Sequence, residues 1–401
     1  MQMRDSNHKI EVLFICSNWN EAQAPYRRLK YFIEYLRSKG LSASCGGFIQ
    51  FTIYGFKKLP RGCYPLSVAF SSRFTLLNLV INIILSFFAI ILIIMLRPKI
   101  IVVSVPDVYT VLPCYVAASL VDAKFIVDVR DPQEIIMVQH YGKGLSSLIA
   151  KIYRKVDYHI YKKADIIIGV TRTLIVTLAR ELGRPIYLSP NGADLTIFKP
   201  LDKEEARLKL GLSQESLLIG YVGGLSSYGY YNILPILTSI RKARRELGID
   251  IKLVVAGSIY DEGIKRIFEG FRDESVYLGV LDTKGVITLL SACDLGVIPR
   301  IGDPIYDYAI PVKFYEYIAT GLPVLAIVSR GSELARIVEK HRLGFVCEPG
   351  DHECLESVIT TFAINKAVLD EYKKNVLVFR EHVDRKIGAE RLYKLINEFL
   401  R

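Results

Sequence analysis

The chain has 401 residues, of which 51% are hydrophobic and 23% are charged. A chain of this length exceeds what one hydrophobic core usually organises, so we expect two packed domains and exclude a disordered or fibrous protein. The seven cysteines are odd in number and scattered, which argues against a disulfide framework and favours a reducing, cytosolic compartment.

The net charge of +11 is confined to the first half of the chain. Residues 1–200 hold 25 Lys and Arg against 13 Asp and Glu, whereas residues 201–401 hold 27 against 28. This asymmetry indicates an anionic partner for the first domain only. The basic residues at 57–61 and 151–163 lie in no nucleic-acid-binding signature, so we favour a membrane surface over nucleic acid. A solvated basic face is the alternative.

Short apolar, β-branched runs alternate with amphipathic stretches along the chain, a pattern typical of parallel strands joined by crossover helices. The pattern begins again after the midpoint, so we predict an α/β protein with two facing Rossmann-like domains, each a parallel sheet flanked by helices. The predicted strands are residues 12–16, 100–105, 125–129 and 166–170 in the first half, and 217–222, 252–256, 276–278, 295–298 and 324–327 in the second.

The stretch 74–96 carries no charge and, as one helix of roughly 35 Å, is long enough to span a bilayer. A single crossing would place the strands at 12–16 and 100–105 on opposite sides of the membrane, so we predict a crossover helix instead. Its polar residues recur at spacings of three and four and form one stripe, which leaves an apolar outer face to dip into the cytosolic leaflet. A buried core helix is the alternative. The polar residues are Thr75, Asn78, Asn82 and Ser86.

A predicted strand and helix lead into a turn at 189–194, followed by Phe198-Lys199-Pro200. Pro190 fixes φ, and Asn191-Gly192 permits left-handed geometry. The complete string resembles the interdomain signature of the family 4 glycosyltransferases. That resemblance implies the GT-B fold and a retaining, nucleotide-sugar-dependent reaction. It assigns residues 1–192 and the returning helix 384–401 to an acceptor-side domain, 193–200 to a hinge, and 201–383 to a nucleotide-sugar-binding domain.

A second resemblance to this family lies at residues 309–324, which contain Pro311, Val312, Lys313 and Glu316. In the family, a similar run starts a helix whose N-terminus faces the donor diphosphate and whose Glu holds the nucleotide ribose. The residues agree with this, because a helix start is an anion site and Lys313 adds a charge to its first turn. A carboxylate at Glu316, among aromatic residues, also requires a partner. An exposed helix face is the alternative.

The chain departs from the family at two places. The first carboxylate of the paired-glutamate motif is replaced by Tyr308, with Asp307 beside it. After the strand 217–222, the phosphate-clamping Arg and Lys are absent, and the chain continues with Gly223-Gly224. We hypothesise that Arg300, at the end of the strand 295–298, supplies the missing charge, because ligands of parallel sheets collect at the carboxyl ends of strands.

In the first domain, the run Asp128-Val129-Arg130-Asp131-Pro132 ends a predicted strand and resembles an acceptor-facing segment of the family. We therefore take Arg130 and Asp131 as catalytic candidates, with a structural Asp-Arg pair as an equal alternative. Candidates for lining the acceptor are Asn18, Glu21 and Arg27.

We expect no metal and no cofactor. Cys347, His352 and Cys354 lie close together but leave a tetrahedral site one ligand short, and the residues between them predict a turn and a helix cap at Asp351. No DxD-like run is present in a loop, so helix termini and basic side chains are expected to neutralise the leaving group.

The function expected from the resemblance is transfer of a sugar from a UDP or GDP donor to a membrane-associated glycan or lipid. The protein would be cytoplasmic and peripheral to the membrane, since the first nine residues predict no secretory signal. Polysaccharide or glycolipid biosynthesis is the implied setting, with no nucleic-acid partner. Two alternatives stay open: a sugar-nucleotide epimerase of the same fold, and a catalytically lapsed nucleotide-sugar-binding protein.

Overall fold

The computed structural model describes residues 10–16, 19, 24–52, 55–71, 75–105, 110–131 and 145–400. Their contacts divide the chain into two units: Met1–Pro190 with Lys386–Arg401, and Asn191–Arg385. Each unit is a mainly parallel sheet flanked by helices, so the predicted α/β class is confirmed.

The first unit contains an eight-stranded sheet with the order β3-β2-β1-β5-β6-β7-β8, in which β4 pairs with β2 and only β3 is antiparallel. The four strands predicted in this half are present to within one residue. The unpredicted β2 and β4 contain Gly, Ser and Pro in place of a continuous apolar run. The strands are β1 Val12–Cys16, β2 Ala43–Thr52, β3 Gly55–Lys57, β4 Cys63–Ser71, β5 Ile100–Val105, β6 Lys124–Val129, β7 Ile166–Gly169 and β8 Tyr187–Leu188.

Helices cover both faces of this sheet. Helices α1 and α15 share one core with β1, in which Leu29 and Phe32 meet Leu392 and Ile396. Helix α3 packs against α4, and α4 against α5. The helices are α1 Ala24–Ser38, α2 Thr75–Ser86, α3 Phe88–Leu96, α4 Val111–Val121, α5 Leu145–Lys163, α6 Arg172–Leu182 and, from the end of the chain, α15 Arg385–Leu400.

The stretch predicted as one helix over 74–96 instead forms two, α2 and α3, separated at Phe87. The buried Asn82 accepts a hydrogen bond from the Phe70 N–H and donates one to the Phe70 carbonyl, which ties the polar side of α2 to β4. Ser86 is also buried, whereas the side chains of Thr75 and Asn78 lie outside the described part. Among the described residues, no helix has both the length and the apolar character needed to cross a bilayer.

The expectation that the cysteines stay unpaired is wrong for four of them. Cys45 lies opposite Cys63 in the β2–β4 register, and the two form a disulfide. Cys347 and Cys354 form a second one. Sequence spacing could not reveal the first pair, because only the unpredicted pairing of β2 with β4 brings its two residues together.

The second unit contains a six-stranded parallel sheet with the order β11-β10-β9-β12-β13-β14. All five strands predicted here are present, and only β14 was missed. The strands are β9 Leu217–Val222, β10 Ile251–Ala256, β11 Ser275–Tyr277, β12 Leu295–Pro299, β13 Val324–Ile327 and β14 Gly344–Cys347. The helices are α7 Lys203–Leu210, α8 Leu234–Leu247, α9 Glu262–Gly270, α10 Thr283–Ala292, α11 Val312–Ala319, α12 Glu333–Lys340, α13 His352–Ile364 and α14 Lys366–Phe379.

Candidate functional site

The strand order of the second unit locates a candidate site. From β9 the chain moves outward through β10 and β11, then returns to β12 on the other side of β9 and continues through β13 to β14. The crevice at the carboxyl ends of β9 and β12 is therefore the point at which the direction of the sheet reverses. Ligands of open parallel sheets bind at such points.

Helix α11 begins beside this crevice, directly after Pro311, whose fixed φ suits a helix start. Its Tyr317 is fully buried and fastens the helix to the sheet: the hydroxyl accepts a hydrogen bond from the Val222 N–H at 3.2 Å and donates to the Val297 carbonyl at 3.3 Å. The ring fits because Gly296 of β12 has no side chain; a Cβ there would lie 2.5 Å from it. The first turn of α11, with Val312 and Lys313, is thereby placed at the ends of β9 and β12.

Lys313 is only 9% exposed, and its Nζ has no hydrogen-bond partner among the described residues. The amine lies 3.9 Å from the ring centroid of Tyr221 and 3.7 Å from that of Tyr231. Burial and then the positive charge of Arg300 hold the pKa of Lys313 well below its ordinary value, while Glu316 acts in the opposite direction. A buried amine of this kind is suited to bind an anion.

Arg300 follows β12 and forms the second cationic group of the crevice. It donates to the Tyr306 carbonyl and, at 2.8 Å, to the Ala309 carbonyl, while its buried Nε has no partner among the described residues. The structure thus places Arg300 close enough to Lys313 to affect its pKa. The buried amine of Lys313 thus lies near a half-buried guanidinium, Arg300, whose Nε is buried. That Arg300 replaces the lost clamp stays a prediction.

Two further predicted donor residues lie in a short 3-10 turn, Pro304–Tyr308, between Arg300 and α11. Asp307 is half-buried there, and burial raises the pKa of its carboxyl group. Tyr308 is half-buried beside it. Glu316 is 4% exposed one turn into α11, in which residues 313–319 are all buried, so the alternative of an exposed helix face does not hold.

The glycines after β9 leave room for Lys313. Gly223 has a φ of +142°, and a Cβ there would lie 2.9 Å from the Lys313 Nζ. Gly257, which follows β10, lies directly against the backbone of Gly223. A Cβ added at Gly257 would lie 2.0 Å from the Gly223 carbonyl oxygen. At Gly224 a Cβ would meet the Tyr260 ring at 2.6 Å. The backbone can approach a ligand here because side chains are absent.

The sequence prediction missed Tyr221 and Tyr231, which contact Lys313. The available signal was the tyrosine-rich run of residues 228–231, which follows the strand 217–222 and its two glycines. Periodicity could not show which ring turns toward the crevice, because that depends on how the loop pairs with β12.

In the first unit, the candidates at the end of β6 belong to a polar network. Arg28 donates to both carboxylate oxygens of the fully buried Asp128, at 2.9 and 3.2 Å. Ser104 donates to the same carboxylate, and Arg130 donates to the Ser104 hydroxyl at 2.8 Å. Asp131 follows at the surface, half-buried. The Asp-Arg pair at this strand end is thus formed by Asp128 with Arg28, which the sequence prediction had not considered.

The remaining candidates are the three residues predicted to line the acceptor. Arg27 lies half-buried on α1, while Asn18 and Glu21 fall outside the described residues. Within the described part of the chain, no group of three or more His, Cys, Asp or Glu side chains could hold a metal ion. Cys347 and Cys354 are occupied by their disulfide.

Comparisons with known proteins agree with this geometry. The family model described as "Glycosyl transferases group 1" matches residues 216–365, the part of the chain that contains the crevice. A probable glycosyltransferase, WbjE, from Pseudomonas aeruginosa is 22% identical over 220 residues, which cover 53% of each chain. The chain therefore spans about half the length of this curated relative.

Solved structures match the fold over nearly the whole chain. Sucrose-phosphate synthase from Thermosynechococcus elongatus has a TM-score of 0.73 at 15% identity and covers 98% of this chain and 99% of its own. Anabaena HepE in complex with UDP has a TM-score of 0.70 at 14% identity, covering 97% and 100%. The chain therefore has the GT-B fold of these structures, and residues 216–365 of its second unit are similar to the group 1 glycosyl transferases.

Proposed function

We propose that this chain is a retaining glycosyltransferase that takes its sugar from a nucleoside-diphosphate donor bound in the second unit. The observation that carries the proposal is the pair Lys313 and Arg300, each with a buried nitrogen that has no hydrogen-bond partner among the described residues. Buried donors of this kind are costly unless an anion satisfies them. A donor diphosphate at the carboxyl ends of β9 and β12 would do so.

The same residues supply the chemistry that the reaction requires. Departure of the nucleoside diphosphate concentrates negative charge on its outer phosphate, and fixed positive groups stabilise that charge in the transition state. Lys313, Arg300 and the N-terminus of α11 would bind the phosphates without a metal ion. Glu316, one turn further along, would accept hydrogen bonds from the ribose hydroxyls.

The nucleotide is expected to be UDP or GDP. A complex with UDP is known for Anabaena HepE, whose fold this chain shares. In the first unit, Arg130 and Asp131 at the carboxyl end of β6 would orient the acceptor hydroxyl, with Arg27 as an acceptor-lining residue. The departing diphosphate would receive the acceptor's proton, and the new bond would retain the anomeric configuration.

The acceptor is proposed to be a glycan or lipid at a membrane surface. Helix α3 exposes Phe88, Ile91 and Met95. Helix α5 exposes Leu148 and Ile152, beside lysines on the same face of the helix. Apolar side chains flanked by basic ones bind anionic lipid surfaces. The positive excess of residues 1–200 supports the same partner.

The donor site is tested by titration calorimetry with UDP, GDP and their sugars, followed by release of nucleotide in the presence of membrane extract. Lys313→Met should weaken donor binding at least tenfold, because a satisfied charged hydrogen bond contributes about 1.5–3 kcal/mol. Lys265→Met is the matched control, since Lys265 is an exposed lysine of the same unit. Equal donor affinity in the two variants contradicts the proposed site.

Binding without turnover favours a lapsed enzyme, and turnover without an acceptor favours an epimerase. Activity should survive EDTA.

The membrane surface is tested by flotation with vesicles that contain anionic lipid. Replacing Phe88 and Ile91 with Ser should release the protein without lowering its melting temperature, because both side chains are already exposed. Ile364→Ser removes an equally exposed isoleucine from the second unit and should leave flotation unchanged. Flotation that is unaffected by the double variant would rule out α3 as the contact.

A further inference from the structure

The loop after β9, residues 225–232, is held at both ends by neighbouring strands; we call it the tyrosine loop. Near its start, Leu225 forms a parallel bridge with Ile259, which follows β10. The Ser227 N–H and hydroxyl both donate to the Asp261 carboxylate, at 2.7 and 2.6 Å. These bonds lower the pKa of Asp261 to about 2, so the carboxylate stays charged at neutral pH.

The end of the tyrosine loop is paired with the residues after β12. Tyr231 forms an antiparallel bridge with Arg300, the Asn232 N–H donates to the Pro299 carbonyl at 2.8 Å, and the Ile301 N–H donates to the Tyr230 carbonyl at 3.1 Å. The loop therefore runs from beside β10 to β12, past the end of β9. Its pairing fixes the position of Tyr231 relative to Arg300.

The ring of Tyr231 is placed by this pairing against the Lys313 amine. The Nζ lies 3.7 Å from the Tyr231 centroid and 3.9 Å from that of Tyr221, which projects from β9, and the two rings meet edge to face at 5.9 Å. Gly223 borders the same nitrogen. Two ring faces and a glycine thus define where the amine can lie. Residues 223–232 contain no Lys or Arg.

We propose that Tyr231 is a positioning residue for donor binding: its ring holds the Lys313 amine at the end of β9, where that amine makes the phosphate contact for which the tyrosine loop offers no basic side chain. This inference rests on the proposed function, since it assumes a donor diphosphate in the crevice. The faces of tyrosine rings attract ammonium groups. The ring therefore keeps the long lysine side chain in one place.

Because burial and the charge of Arg300 disfavour a proton on Lys313, we expect donor binding to favour the protonated form of this amine. Tyr221 from β9 and Tyr231 from the tyrosine loop face the amine, and the charges of Arg300, after β12, and Glu316, from α11 itself, act on it. Burial raises the pKa of Tyr221 and of Tyr317, so neither ring carries a charge near neutral pH. Burial and Arg300 lower the pKa of Lys313, and a diphosphate would raise it again.

The lowered pKa of Lys313 sets the direction in which donor affinity changes with pH. Below the lowered pKa the amine is protonated with or without donor, so donor affinity is greatest there. Above it, binding must include uptake of a proton, and affinity falls as pH rises toward the pKa of the bound state. The diphosphate of a nucleotide sugar has no ionisation of its own in this range.

Titration calorimetry with UDP-glucose and GDP-mannose tests the inference, at several pH values between about 7 and 9 and in two buffers of different ionisation enthalpy. For the parent, the difference between buffers should correspond to uptake of up to about one proton per donor. Tyr231→Phe keeps the ring face and should bind within about twofold of the parent. Tyr231→Leu should bind roughly 3- to 30-fold more weakly. Proton uptake by this variant should be smaller, because water reaches the amine.

The matched control is Tyr228→Leu, which removes a 96% exposed tyrosine from the same loop and should change neither quantity. The inference is overturned if Tyr231→Leu binds with the parent's affinity and proton uptake, or if Tyr231→Phe loses as much as Tyr231→Leu. If Tyr231→Leu fails to fold, Tyr231→Met replaces it, and donor affinity equal to the parent's in that variant refutes the inference alone. Absence of binding by the parent refutes the proposed function as well.

Discussion

The ion pair between Arg28 and Asp128 allows a quantitative test of how the first unit is stabilised. Asp128 is fully buried at the end of β6, and Arg28, on α1, donates to both of its carboxylate oxygens. The same guanidinium donates to the carbonyls of Ser189 and Pro190, the last residues of the unit before the chain passes to the second. Arg28 therefore joins α1, β6 and this segment.

Replacing Arg28 with Met keeps most of the side-chain volume but leaves the Asp128 carboxylate buried without its ion-pair partner. Removal of one partner from a buried pair costs about 3–5 kcal/mol. Replacing both residues, as Arg28→Met with Asp128→Leu, should cost less than the sum of the two single changes, since no buried charge is then left. The matched control is Lys30→Met, which breaks an exposed Lys–Glu pair on the same helix α1 and should cost under about 1 kcal/mol.

Urea unfolding followed by tryptophan fluorescence is the assay. Trp19 is the only tryptophan of the chain; it is buried in the first unit and donates to the Gly46 carbonyl at 2.9 Å, so its signal reports on that unit. We expect the midpoint of this transition to fall clearly for Arg28→Met and to stay near the parent for Lys30→Met. A change in Arg28→Met no larger than in the control would refute the reasoning, because the network would then contribute no more than a surface pair.

Three further predictions concern the site and the disulfides. Glu316→Gln should weaken binding of the free nucleotide by about 1–3 kcal/mol, since an amide accepts hydrogen bonds at only one of its two positions; calorimetry that shows an affinity within twofold of the parent would exclude a ribose contact. Gly223→Ala should lower both donor affinity and melting temperature, because its φ of +142° disfavours a side chain and its Cβ would lie 2.9 Å from a lysine amine; Gly270→Ala, with open space around it, should do neither. Reduction of the Cys45–Cys63 disulfide, which closes a loop of 18 residues, should lower the stability of the first unit by roughly 3 kcal/mol, and an unchanged urea midpoint after reduction would contradict this.

The sequence determined the elements whose pattern is local. The β-branched runs at residues 100–105, 217–222 and 324–327 become buried parallel strands because a strand covered on both faces must be apolar along its whole length. Likewise, Pro311 specifies where α11 begins, because proline is well suited to the start of a helix. The position of Arg300 after a strand, and of Lys313 and Glu316 near the start of a helix, follows from the same alternation of strands and helices, with the family resemblance as support.

Only the tertiary structure decided features that depend on pairing between distant segments. Strands β2 and β4 contain polar and glycine residues, and they form because they pair with each other. The same pairing places Cys45 opposite Cys63. The stretch 74–96 divides into two helices at Phe87, and Asn82 in the first of them is hydrogen-bonded to β4. The helical periodicity of the sequence predicts neither feature. Tyr231 meets Lys313 because its loop pairs with β12, more than sixty residues further along the chain. Contacts of this kind arise from the fold as a whole, since local composition does not select the partner.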